Sequence, residues 1–355
     1  MSAAAAVAAP SARARISPRG VVPKWGPPAL YGATVALGLV LVLGTGISIG
    51  VTVVLLAFAS GLALYLWSRA VEGSRAATDR LVTHAVTCAF LLAIAPLVSL
   101  LWTVVSKGIG TLDINFLSMT QRNVIGEGGG AEHAIVGTLI ITACATIVSV
   151  PIGVMAAIYL QEYGRGRLAR ALTFFVDVMT GIPSIVAGLF AYAVFALIFG
   201  PGIRLGIVGA VALSVLMIPI VVRSTEEMLR VVPDTLREAS LALGVPKWKT
   251  ITSVVLPTAL AGIVTGVMLA VARIIGETAP LLITVGVVDS LNTNPFDGRM
   301  QNLAVFAFNE YKSPGVPAEP SIDRAWAAAL TLLLIVMLLN VIARLIYRRF
   351  GTEVR

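Results

Sequence analysis

Long apolar stretches alternate with short polar ones along the chain. Eight runs stand out, at 29–47, 51–67, 81–105, 134–160, 168–199, 206–222, 258–285 and 325–347. Each approaches or exceeds the roughly 20 apolar residues that carry a helix across a bilayer. Only Ser48-Ile49-Gly50 separates the first two, which reads as a tight hairpin. Gly181-Ile182-Pro183-Ser184 interrupts the run 168–199 and predicts a kinked or broken helix. No small-residue cleavage site follows the first run, so it is read as a retained span. The pattern is that of an all-α polytopic membrane protein.

Composition agrees: of 355 residues, 57% are apolar and 12% charged, against about 45–50% and 25% in soluble domains. Two cysteines and two histidines leave no material for a disulfide framework, a zinc cluster or a haem site. Cys88 and Cys144 read as packing residues, and His84 and His133 as interfacial ones. A net charge of +8 would suggest nucleic acid in a soluble protein. Its distribution says otherwise. With the N-terminus inside, nineteen Lys and Arg fall in cytoplasmic segments and six in outer ones, while Arg273 lies within a run. This bias predicts eight spans with both termini cytoplasmic and no nucleic-acid partner. Residues 1–28 read as a disordered cytoplasmic tail, 29–80 as an accessory transmembrane hairpin with a basic linker, 81–347 as a six-span core and 348–355 as a basic tail. Two outer loops are long: 106–133, with flexible glycines at 126–130, and 286–324.

The longest cytoplasmic insertion is 223–257. Pro233-Asp234 predicts a helix start, with Asp234 capping the N–H of Arg237 or its neighbour. Leu236, Ser240 and Leu243 share one face, Gly244 suits a helix end, and Pro246 opens a second short helix over 247–255. Three readings are open: an interfacial amphipathic hairpin, a helix-turn-helix, and a docking knob for a soluble motor. The helix-turn-helix is the poorest fit, because spans tether both ends. The knob would use Leu236 and Leu243 as apolar anchors, Glu238 as an acidic contact and Gly244-Val245-Pro246 as a stiff turn. Glu238-Ala239-Ser240, then Gly244 and Val254-Val255-Leu256-Pro257, resembles the EAA loop of ABC importer permeases, with Ser240 and Val254 as conservative departures. The resemblance implies a six-helix type I permease core with coupling helices at 234–255. Glu238, Ala239, Ser240, Gly244, Leu236 and Leu243 would then meet an ATP-binding subunit. No G-x-x-x-x-G-K-[ST] loop occurs in the chain, so ATP and magnesium would be bound by that partner.

Arg273 and Glu277 stand near the middle of the run 258–285. Charges at that depth cost about 2.5–3.5 kcal/mol on insertion scales, so they mark functional candidates. Four residues apart on one helix, they can pair. Gly276 and Pro280 nearby expose or free backbone groups. A structural ion pair locking helices together is one reading, and a lining for a solute pathway is the other. A guanidinium matches a tetrahedral oxyanion and is weakly hydrated. A neighbouring Glu can accept a proton from a protonated oxyanion, which would favour phosphate over sulfate.

The segment Ala272-Arg273-Ile274-Ile275-Gly276-Glu277-Thr278-Ala279-Pro280-Leu281-Leu282 resembles phosphate-specific permeases of the A type. So do Gly181–Gly188 and Ile218–Glu227. The resemblance implies a plasma-membrane subunit of a bacterial phosphate importer with Arg273, Glu277, Thr278 and Arg223 along the pathway. Implied partners are a C-type sister permease, two ATP-binding subunits and an extracytoplasmic phosphate-binding protein, in contact with membrane lipid. Arg223 also reads as an interfacial cation pairing with Glu226 or Glu227, and Asp177 can reach it from the fifth run. The rivals are a permease for sulfate or molybdate, the C-type subunit itself, a sensor scaffold, and an intramembrane lipid-phosphate enzyme. The enzyme would need a cluster of acids or nucleophiles that the chain lacks.

Overall fold

The computed structural model describes residues 20–350, all helix and connecting turns with no strand among them. The parts of the two tails at 1–19 and 351–355 lie outside the described residues. Two compact units divide at Leu101/Trp102. Seven helices are long and apolar enough to cross a membrane, and an eighth crossing is possible only through a pair bent by 110°.

The first unit holds α1 (Gly26–Thr45), α2 (Ile49–Val71) and the greater part of α3 (Ser74–Gly108). Gly46, at φ +68°, closes α1 by donating its N–H to Val42 O, and α2 starts three residues later, as the hairpin predicts. His84 is buried between helices: its Nδ1 meets Tyr31 Oη at 3.1 Å and its Nε2 meets Ala57 O at 2.9 Å. One imidazole thus joins all three helices. At the end away from the Gly46 turn Glu72 accepts from Arg80 twice, from Ser68 Oγ and from Val22 N–H, each at 2.8 Å. The bonds from Arg80, helped by those from Ser68 and Val22, hold its carboxyl at about 2 against the opposing effect of burial. Val22 is buried, so the predicted tail is ordered where it reaches this knot.

The second unit runs α4 (Ile114–Ser118), α5 (Glu132–Ile158), α6 (Arg167–Gly181), α7 (Ser184–Phe199) and α8 (Gly206–Val231). There follow α9 (Asp234–Ala242), α10 (Lys247–Thr250), α11 (Leu256–Ile275), α12 (Ala279–Thr284), α13 (Leu303–Lys312) and α14 (Glu319–Phe350). The kink predicted at Pro183 is a full bend between α6 and α7. Proline forces Ile182 out of the helical region, to φ −72° and ψ 127°.

The core is built on α5 against α8. Ile141, Ala145, Leu213, Met217 and Val221 are buried there, and Ser214 Oγ reaches Ala145 O at 3.4 Å. Gly153 lets the two helices touch: a Cβ on it would lie 2.7 Å from Val221 Cγ1. Along α11 the glycines do the same against α8, Gly262 meeting Met228 and Gly266 meeting Ser224. Moving four residues up α11 moves four residues back along α8, so the helices run antiparallel and Arg273 stands level with Met217, near the middle of α8.

Both long loops are more structured than their composition predicts. The 126–130 segment is pinned, because Arg324 donates to Gly126 O and Gly128 O at 2.7 and 3.1 Å and pairs with Glu310 at 2.9 Å. His133 is buried edge-on against Phe306. The 286–324 stretch contains α13, capped by Asn302 Oδ1 on Val305 N–H at 3.1 Å.

Candidate functional site

The predicted pair at mid-span does not form. α11 stops at Ile275, and Gly276, Glu277 and Thr278 form a break before α12. Glycine is a poor helix former, and Pro280 at the start of α12 has no N–H to continue the ladder. Arg273 and Glu277 therefore share no helix face, and among the described residues neither side chain makes an ion pair or hydrogen bond. The reading of a structural ion pair between them is corrected by this break.

Arg273 sits in the last turn of α11, where the carbonyl end of the helix favours a cation. Its side chain is exposed from this chain, as are Thr258, Thr265 and Leu269 below it at spacings of seven and four. These positions make one stripe that the chain leaves uncovered, while Ile274, Ile275, Ala270 and Val271 face the core. Glu277 and Thr278 are half-buried in the break. Beyond it, α12 lies directly on α7, where a Cβ on Gly188 would stand 2.6 Å from Pro280 Cα.

Arg223 has the partners expected of it. It bonds Asp177 of α6 and, at 2.8 Å, Glu226 of its own helix, whereas Glu227 points outward. With Arg170 and Arg230 these groups line an open pocket of about 500 Å³. Three arginines face two carboxylates there, so the pocket carries excess positive charge.

The segment 234–250 is a helical hairpin. α9 ends with Gly244 at φ +78°, and Val245 N–H donates to Ser240 O at 3.3 Å, the closing bond of a Schellman turn. The turn folds α10 back, so Ser240 is buried and bonds Thr250 Oγ1 at 2.9 Å. Ser240 is thus an internal strut and does not share the outward face of Leu236 and Leu243. Those two leucines, with Leu241, Trp248, Glu238 and Ala239, are exposed. The predicted second short helix is not separate. α10 passes through a π turn at Ile251–Val255 straight into α11, giving one helix from Lys247 to Ile275. Pro257 lies just past that turn, and its missing N–H is matched by the widened ladder before it.

Asp234 does not cap a backbone N–H. Its carboxylate accepts from the Arg237 guanidinium at 2.9 Å. Arg237 also donates twice to Glu162 Oε1, at 3.1 and 2.9 Å, and to the carbonyls of Leu229 and Val232 at 2.8 and 2.7 Å. Lys247 completes the clamp by bonding Glu162 O and lying over the Tyr163 ring. Arg237 thereby fastens the hairpin to the ends of α5 and α8. Nothing in the local sequence pairs residues 75 apart, and a charged residue at a π turn (Tyr159–Tyr163) was the only available hint.

Comparison with known proteins fits this geometry. A family described as "Binding-protein-dependent transport system inner membrane component" matches residues 149–355. The fold and this match define the class, a multi-pass inner-membrane component of a binding-protein-dependent transport system. The chain is 45% identical over 260 residues to "Phosphate transport system permease protein PstA 1" of Mycobacterium tuberculosis, covering 72% of this chain and 84% of that protein. It is 39% identical over 254 residues to "Phosphate transport system permease protein PstA" of Yersinia pestis, covering 71% and 84% respectively. The chain belongs to the PstA family of phosphate transport permeases. Among solved structures, the inward-facing MetNI methionine ABC transporter aligns at 21% identity and a TM-score of 0.46, over 62% of this chain and 94% of that one.

Proposed function

We propose that this chain is one half of a heterodimeric pathway that carries inorganic phosphate inward by alternating access, driven by ATP hydrolysed elsewhere. The observation that carries this reading is Arg273, a guanidinium level with the middle of α8 and without a partner among the described residues. It lies on a stripe of α11 that its own chain leaves uncovered. Such a group is costly in hydrocarbon and suits a water-filled route bounded by a second subunit. Its planar donors fit a tetrahedral oxyanion. Glu277, unpaired in the break beside it, is placed to accept a hydrogen bond from a protonated oxyanion, and Thr278 adds a hydroxyl. Arg223 lies closer to the coupling end in its positively biased pocket and would meet the anion on exit.

The same reading assigns the chain no catalytic step and no cofactor. ATP and magnesium belong to two ATP-binding subunits, which the exposed Leu236, Leu243, Glu238 and Ala239 would contact, with Gly244 and Ser240 keeping the hairpin stiff. A C-type sister permease would cover the Arg273 stripe, and an extracytoplasmic phosphate-binding protein would deliver solute. The bias of Lys and Arg along the chain supports a topology with both termini in the cytoplasm. The test is phosphate uptake into proteoliposomes holding the assembled transporter. Uptake that requires ATP and the receptor, and that excess sulfate or molybdate leaves intact, is expected. Equal competition by those anions would overturn the assignment to phosphate.

A further inference from the structure

A pair of arginines gathers at the end of α8 opposite to the coupling hairpin. Gly286 follows α12 at φ +73° and is flanked by both of them. A Cβ on it would stand 2.9 Å from Arg204 Cδ and 3.3 Å from Arg299 Cδ. The two side chains therefore lie side by side over a position whose left-handed backbone favours glycine. Their backbones are held in place. Leu205 N–H donates to Thr284 O at 3.2 Å and Ile207 N–H to Pro295 O at 2.8 Å. Asn292 Nδ2 donates to Asp297 O and Arg299 O at 2.7 and 2.9 Å. Both arginines are exposed, and among the described residues no carboxylate comes within 4.0 Å of either, although Asp297 lies two positions from Arg299. Two like charges side by side without a counterion attract an anion. The six-residue α12 leads from this pair to the break beside Arg273.

We propose that Arg204 and Arg299 form an outer capture site for inorganic phosphate, which holds the anion before it reaches Arg273. The inference rests on the reading of the chain as a phosphate permease. Capture at an exposed charged site acts through local concentration and encounter rate, so it weakens as salt rises.

The experiment uses the assembled transporter in proteoliposomes with its receptor loaded with inorganic phosphate. The R204Q/R299Q double variant is expected to lower uptake roughly tenfold and to flatten its salt dependence. The R204K/R299K variant is expected to retain most of the uptake. Docking of phosphate-free receptor is measured in parallel and is expected to be unchanged. Docking that falls as far as uptake would mean that the arginines hold receptor carboxylates, and would overturn the proposal. Normal uptake by R204Q/R299Q alongside lost uptake by R273Q would overturn the capture site alone, leaving the pathway reading intact. A check independent of variant folding uses the wild-type complex without receptor. There, inorganic phosphate is expected to slow phenylglyoxal labelling of Arg204 and Arg299 several-fold, and no protection at saturating phosphate would also overturn the site.

Discussion

Replacing Arg237 with Met removes five donated hydrogen bonds while keeping most of the apolar stem. The variant strands the Glu162 carboxylate, only 7% exposed, together with the carbonyls of Leu229 and Val232. Breaking a buried pair by deleting one partner costs about 3–5 kcal/mol. The Arg237 side chain keeps 16% exposure, so water can reach part of the site and the lower end, about 3 kcal/mol, applies. The loss falls on the attachment of the hairpin 234–250, because the bonds join α9 to the ends of α5 and α8. If the hairpin opens as a local unit, its amides should exchange about 150-fold faster, since 1.4 kcal/mol is a factor of ten. Hydrogen exchange read by mass spectrometry on the assembled transporter measures this directly, with α5 and α8 as the internal reference. A double variant, R237M/E162Q, removes the stranded charge and should recover about 1–2 kcal/mol of the loss. Transport should fall in R237M with little change in the amount of protein in the membrane. Unchanged exchange over 234–250 would refute the clamp.

Three further outcomes follow from the geometry. The Arg80 guanidinium holds the Glu72 carboxyl at about 2, below its ordinary value of 4.5. Its stabilising contribution, roughly 1–2 kcal/mol at a partly solvated site, is therefore full above pH 4.5 and is lost as pH falls towards 2. Glu72→Gln should destabilise the first unit at neutral pH and flatten that acid dependence, as read by amide exchange over 20–100; unaltered exchange would count against the knot. Gly188→Ala puts a methyl 2.6 Å from Pro280 Cα and should cost about 1–3 kcal/mol by prising α7 from α12, visible as lower thermal stability. Leu243→Asp, at a side chain 84% exposed, should change stability by less than about 0.5 kcal/mol yet abolish co-purification of the ATP-binding subunit; intact co-purification would remove Leu243 from the docking face.

The spans were legible because apolar runs of bilayer length admit few other structures, and the proline at 183 marked the bend before α7. Gly244 was legible for a related reason, since a helix end in the left-handed region selects glycine. Arg273 could be singled out by the cost of a charge in an apolar run. Its relation to Glu277 could not, because spacing alone counts four residues as one helical turn and does not weigh Gly276 and Pro280 together as a terminator. Ser240 misled in the same way: helical periodicity placed it with Leu236 and Leu243, but the turn at Gly244 brings Thr250 over it. The Arg237–Glu162 clamp and the Arg324 pin join distant parts of the chain, and pairing of that kind leaves no local pattern.

If phosphate passes Arg273 on its way inward, uptake depends on this guanidinium, and an Arg273→Gln variant puts that dependence to the test. Gln keeps polarity and most of the side-chain length but removes the charge and the fork of donors. In proteoliposomes with equal amounts of assembled transporter, ATP and loaded receptor, the account predicts that phosphate uptake falls to background while the ATP-binding subunits remain attached. Uptake at the wild-type rate would contradict it.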